Sequence, residues 1–112
     1  MPTIVIQNDH IIRALSVMLD PDCDPERLAG FADYYSVDMP EFPQWCEDLR
    51  KKYPAVAPSR VVLTNSQEEF RAALPEADAV VIEDFVVGEE ELALAPNLKI
   101  VARHGVGYEA VD

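Results

Sequence analysis

Only two cysteines occur in the 112 residues, Cys23 and Cys46, and neither stands at metal-ligand spacing from the other or close in sequence to His10 or His104. A disulfide framework would need more cysteine in so small a chain, and the expectation is two reduced thiols in a cytoplasmic protein. Basic residues are scarce as well: 9 Lys and Arg stand against 21 Asp and Glu, a formal net charge of −12. Neutralising nucleic-acid phosphates or adsorbing to anionic lipid takes clustered positive charge, so nucleic acid and membrane surfaces are excluded as partners. No apolar run nears the ~20 residues that a bilayer span requires. The N-terminus opens on Thr3-Ile4-Val5-Ile6-Gln7, a strand pattern without the basic region of a signal peptide. What is present is globular: 49% apolar and 27% charged residues, in a length that allows one domain.

Thr3 to Gln7, Arg60 to Thr64, Ala79 to Ile82 and Lys99 to Ala102 are β-branched or apolar runs with little alternation, the mark of strands buried on both faces of a parallel sheet. Tyr34 to Val37 is a further candidate, second in order. Ile11 to Leu19 fits both a helical stripe and strand alternation, and periodicity leaves the two open. Asp20 to Pro25 is turn chemistry. Asp24 then caps a helix with Pro25 at its first position, Glu26 at the positive end of its dipole, and Leu28, Phe31 and Ala32 on its apolar face. A second helix follows Pro40 and Pro43 with the stripe Phe42, Trp45, Leu49 and Tyr53 and ends before Pro54 and Pro58; the stretch from Pro40 to Pro58 reads as an insertion between units. Ser66 and Glu69 form a capping box ahead of a helix bearing Phe70, Ala73 and Leu74, and Glu89 to Leu94 is a short helix. Strands alternating with helices in this way predict right-handed βαβ units: a flavodoxin-like doubly wound sheet of about five strands in the order 2-1-3-4-5. The chain ends soon after the last strand, where a doubly wound sheet needs a covering helix. Another chain would then supply the cover, or these residues are the front part of a longer protein; an uncovered apolar strip on the last strand would favour association.

The chain closes on Asn97-Leu98-Lys99-Ile100-Val101-Ala102-Arg103-His104-Gly105-Val106-Gly107-Tyr108-Glu109-Ala110-Val111-Asp112. Glycines let the main chain approach a ligand closely, and successive N–H groups in such a turn make an anion-binding nest at the carboxyl end of a strand. A plain glycine turn after a strand is the other reading of the same residues. Gly105 to Ala110 also fits G-x-G-x-x-[GA], but that dinucleotide fingerprint belongs in a first βα turn with an acidic residue about 20 positions on, so it is not taken as a cofactor site. His104 has no orienting carboxylate near it in sequence and reads as a polar residue beside the loop rather than a general acid. A phospho-accepting receiver domain would share the fold. Its site would require an acidic pair, an Asp and a Lys where this chain has Asn8-Asp9, Thr64-Asn65 and Arg103-His104, and the middle position excludes it.

Pro96, Leu98, Lys99, Arg103, Gly105, Val106, Gly107, Val111 and Asp112 match a run that is characteristic of the D-isomer-specific 2-hydroxyacid dehydrogenases, and the segment resembles the strand-loop of that family. Ala77-Asp78-Ala79-Val80-Val81-Ile82, with Glu91-Leu92 before Ala95-Pro96, is similar to the family's preceding unit. The resemblance implies that residues 1–112 are a substrate-binding (catalytic) domain portion with the nucleotide-binding domain absent. It implies that the main-chain N–H groups of Gly105, Val106 and Gly107, with Arg103, hold the carboxylate of a small 2-hydroxy or 2-oxo acid. NAD or NADP would serve the full-length enzyme, a homodimer, with none bound by this chain; the catalytic histidine would lie further along, and the fragment would be inactive. Asp112 resembles the residue that opens the crossover helix, an N-cap rather than a catalytic acid. Glu109-Ala110 stands where the family has Asp-Asn, and Glu83-Asp84 where many relatives place an Arg-Ser pair. Two carboxylates there would repel an anionic substrate, or they are two more solvated acids. The alternative function is a non-enzymatic carboxylate-binding or regulatory module on the same sheet.

Overall fold

The computed structural model describes residues 1–54 and 57–103, and within them the apolar strands pair into one parallel sheet. β1 (Thr3–Gln7), β2 (Arg60–Thr64), β3 (Ala79–Ile82) and β4 (Ile100–Arg103) lie in the order β2-β1-β3-β4. β1 is central. Ile4, Val5 and Ile6 pair with Val61, Val62 and Leu63 on one side and with Ala79, Val80 and Val81 on the other. The helices between them are α1 (Leu15–Met18), α2 (Pro25–Tyr34), α3 (Phe42–Lys52), α4 (Gln67–Ala73) and α5 (Glu89–Leu94), with 3-10 turns at Ile12–Ala14 and Leu74–Glu76. This is a flavodoxin-like parallel sheet. The Ile11–Leu19 segment, open between helix and strand in the sequence, is helical throughout most of its length.

The described residues form four strands rather than about five. Tyr34–Val37 is not a strand: Tyr34 ends α2, and the chain turns through residues 35–38 with the Met39 N–H donating to the Tyr35 carbonyl at 2.7 Å. The Tyr35 ring sits on Phe42, centroids 5.1 Å apart, and Val37 is 90% exposed. Packing of the ring took the segment away from the sheet, and Arg60–Thr64 holds the edge position beside β1. Arg60–Thr64, predicted to lie between the first strand and Ala79–Ile82, thus takes the outer place assigned to Tyr34–Val37, and β1 pairs directly with Ala79–Ile82.

The strands lack visible alternation because each face of the sheet has its own core. Val5, Val62, Val80, Ile82 and Val101 point to the side covered by Phe70, Leu74, Ala77 and Ala95. Ile4, Ile6, Val61, Leu63, Ala79 and Val81 point to the side covered by Ile12, Leu15 and Leu19. A third cluster, Val17, Phe42 and Cys46, joins α1 to α3, with Leu28, Phe31 and Tyr35 packed against it. α3 therefore presents Phe42 and Cys46 inward, while Trp45 stacks on Phe42 from outside and Tyr53 is exposed, so the predicted stripe is correct only in part. β4 leaves Ile100 55% exposed and Val101 half-buried.

Local chemistry fixes the ends. Asp24 Oδ1 accepts from the Glu26 N–H at 2.9 Å and Ser66 Oγ from the Glu69 N–H at 3.1 Å, both at the predicted caps. Glu91, buried, reaches back to the Gly88 N–H at 2.9 Å, a closure of α5 that the run of three glutamates had hidden. Two carboxylates clamp the amino ends of strands: Asp78 Oδ2 accepts from Thr3 N–H at 2.8 Å and Asp20 Oδ2 from Val61 N–H at 3.0 Å. Arg50 of α3 donates to the Met18 carbonyl at 3.2 Å, satisfying the carboxyl end of α1. Among the described residues no helix is long and apolar enough to cross a membrane.

Both cysteines are free thiols. Burial pushes the Cys46 thiol above its ordinary value, and burial followed by the nearby Asp20 carboxylate does the same to Cys23. A raised thiol favours the fold only while protonated. Its contribution is complete below the pKa of the unfolded thiol and is lost as pH rises toward the folded value. Alkylation of the folded chain by iodoacetamide at pH 8 is expected to be about tenfold or more slower than in urea, because thiolate is the reacting form. Equal rates in the two conditions would show that neither thiol is shielded.

Candidate functional site at the carboxyl edge of the sheet

Parallel strands deliver their carboxyl ends to one edge, and open sheets of this kind bind ligands there. At that edge lie Gln7 from β1, Thr64-Asn65 from β2, the loop Glu83-Asp84-Phe85-Val86 after β3, and Arg103 from β4. Thr64 Oγ1 donates to the Ile6 carbonyl at 2.8 Å, and Asn8 Nδ2 donates to Asn65 Oδ1 at 2.8 Å, so the β1 and β2 ends are locked together. Asp9, which a receiver site would need as an acid, instead caps the N–H groups of Ile11 at 2.8 Å and Ile12 at 3.2 Å.

The 83–86 loop is held from every side. Gln7 Oε1 accepts from the main-chain N–H groups of Glu83, Asp84 and Phe85 at 2.8, 3.0 and 3.1 Å. Three converging donors orient the amide group, and its Nε2 then donates to Asp84 Oδ1. Gln67 of α4 accepts from the Val86 N–H and donates to the Val86 carbonyl, both at 2.9 Å. Phe85 packs on the buried Phe70, centroids 5.5 Å apart. From the other side Arg103 Nε donates to the Glu83 carbonyl at 3.0 Å. Neither glutamine was singled out from the sequence. The available signal was a long amide at the last position of an otherwise apolar strand.

Of the four predicted site residues, Arg103 is at this edge, half-buried at the end of β4. Gly105, Val106 and Gly107 lie outside the described residues, as do His104 and the run from Tyr108 to Asp112 with Glu109-Ala110. Glu83 is half-buried and Asp84 exposed, with Asp84 engaged by Gln7. An open groove of about 1020 Å³ runs from Asn8 and His10 between the 12–18 segment and α2, floored by Val81. It is large because α2 buries none of its residues, and Gln7, Glu83 and Arg103 do not line it. Among the described residues no group of three His, Cys, Asp or Glu could hold a metal ion.

A two-faced parallel sheet with its polar loops gathered at one edge defines a doubly wound α/β domain. The family described as D-isomer specific 2-hydroxyacid dehydrogenase, catalytic domain, matches residues 36–112, more than half of the chain, and the chain belongs to that family. It is 45% identical over 69 residues to a D-3-phosphoglycerate dehydrogenase of Mycobacterium bovis, covering 51% of this chain and 13% of the relative. It is 57% identical over 42 residues to a D-3-phosphoglycerate dehydrogenase of Mycobacterium leprae, covering 37% of this chain and 8% of the relative. The chain thus spans a small part of the length of the curated relatives it matches. No solved structure matches it significantly.

Proposed function

We propose that this chain is the substrate-binding portion of an NAD(P)-dependent oxidoreductase that interconverts a D-2-hydroxy acid and a 2-oxo acid. The observation that carries the reading is the family match, which covers Arg103 at the end of β4 and, next but one in sequence, Gly105-Val106-Gly107. The main-chain N–H groups of 105–107 hold the substrate carboxylate, and the Arg103 guanidinium adds a positive charge beside them. The bonding of the neighbouring loop supports this division of labour: the N–H groups of 83–85 are already taken by Gln7, so they do not compete for the carboxylate. The relatives named D-3-phosphoglycerate dehydrogenase support a small acid as substrate. The reading carries with it a cytoplasmic setting and a homodimeric full-length enzyme.

NAD or NADP, when bound, would supply or accept the hydride. The described residues do not fit a dinucleotide. Their glycines, Gly30 within α2 and Gly88 at the start of α5, stand singly, and no glycine-rich strand-to-helix turn is among them. The 112-residue chain is therefore expected to oxidise no NADH with any 2-oxo acid, yet to bind glyoxylate or hydroxypyruvate in calorimetry. Arg103→Leu should weaken that binding about tenfold or more, the scale of one charge-assisted hydrogen bond. No heat with any acid would overturn the reading, and unchanged affinity in the variant would remove Arg103 from the site.

A further inference from the structure

We propose that Gln7 is a positioning residue of the acid pocket, acting on the substrate through the 83–86 loop and Arg103. The inference rests on the proposed function above and adds a residue to it. Gln7 is the last residue of the central strand and so is fixed by pairing on its own main chain with Thr64. Its Oε1 gathers the N–H groups of Glu83, Asp84 and Phe85, and its Nε2 holds the Asp84 carboxylate. Those N–H groups would otherwise converge on solvent or on an anion, and each would need a partner. With Gln7 in place the peptide units of the loop are oriented, and the Glu83 carbonyl is aimed across the edge at Arg103 Nε.

The Glu83 carbonyl is a partner of Arg103 at Nε, and the planar guanidinium turns as one unit. Fixing one N–H therefore fixes the direction of the others. The path runs from the β1 end through the loop carbonyl to the guanidinium that meets the acid, and its links are hydrogen bonds of 2.8 and 3.0 Å. Gln67 and Phe85 hold the far end of the same loop on α4, so that the loop cannot compensate by rotating as a whole. A leucine at position 7 would keep the bulk and lose both hydrogen-bonding functions. A glutamate would keep the acceptor.

The test is a double-mutant cycle with amide exchange on the 112-residue chain. Gln7→Leu should lower protection of the 83–85 amides about tenfold or more while Val5 and Val80 keep theirs, and Gln7→Glu, which keeps the acceptor but opposes the Asp84 carboxylate, should retain more of the loop protection than Gln7→Leu. Glyoxylate affinity should fall about tenfold in Gln7→Leu, and the same substitution should change little when made in Arg103→Leu, because the two act on one path. Additive losses, or lost protection with unchanged affinity, would overturn the positioning role while leaving the substrate assignment standing. Unchanged protection in both variants would overturn the latch itself. A wild-type chain that binds no acid would overturn the substrate reading and the pocket together, and the amide pattern would then show whether Gln7 merely fastens the loop.

Discussion

Phe70→Ala should cost about 3–5 kcal/mol of folding stability, the range for a large aromatic removed from a fully enclosed site. The ring is 0% exposed and lies against Val5, Val80 and Ile82, which are themselves 0% exposed, so little around it can collapse into the space left. Domains of this size are stable by only about 5–15 kcal/mol, so the variant would sit near the edge of folding. Urea titration is the direct measurement, read as a lower midpoint at constant slope. The expected effect reaches beyond stability because Phe85 rests on Phe70. Exchange of the 83–86 amides should quicken as well, even at temperatures where the variant is folded. A loss under about 1 kcal/mol would mean that the α4 face is not a tightly packed centre.

Phe42→Ala should be the second largest, about 3 kcal/mol, toward the lower end of the same range. Its ring is 2% exposed and meets Phe31, Tyr35 and Trp45, centroids 5.1–6.4 Å away. Those neighbours are only partly buried and α2 has no fully buried residue, so they can close part of the cavity. The two substitutions separate the two halves of the molecule. Phe42→Ala should loosen α2, seen as faster amide exchange over 25–34, and leave the Gln7-bound loop protected. Loss of protection at 83–86 in this variant would show that the two clusters are coupled, which their contacts do not suggest.

Much of the fold was readable in the residues. The four apolar strands, the Asp24 and Ser66 caps and the Glu89–Leu94 helix are local matters: side-chain shape, a capping oxygen, a charge at a helix start. Tyr34–Val37 misled because its aromatic and β-branched content is strand-like, yet the decisive contact, Tyr35 on Phe42, spans two helices. Trp45 misled in the same way, since helical spacing alone does not tell Cys46 from its larger neighbour as the inward residue. The family resemblance rested on residues 96–112 together with Ala77 to Ile82 and Glu91-Leu92 upstream, and the match over 36–112 bears it out, while the assigned glycines lie outside the described residues.

The sequence by itself determined the class: apolar strands alternating with capped helices, and a terminal motif, each settled within a few residues of chain. Only the tertiary structure decided how the edge is built. Gln7 reaches residues 83–85 across more than seventy positions, and Arg103 meets Glu83 twenty positions away. Hydrogen bonds between segments so distant leave no periodicity and no spacing to read, because it is the pairing of β1 with β3 and of β3 with β4 that brings their partners within reach.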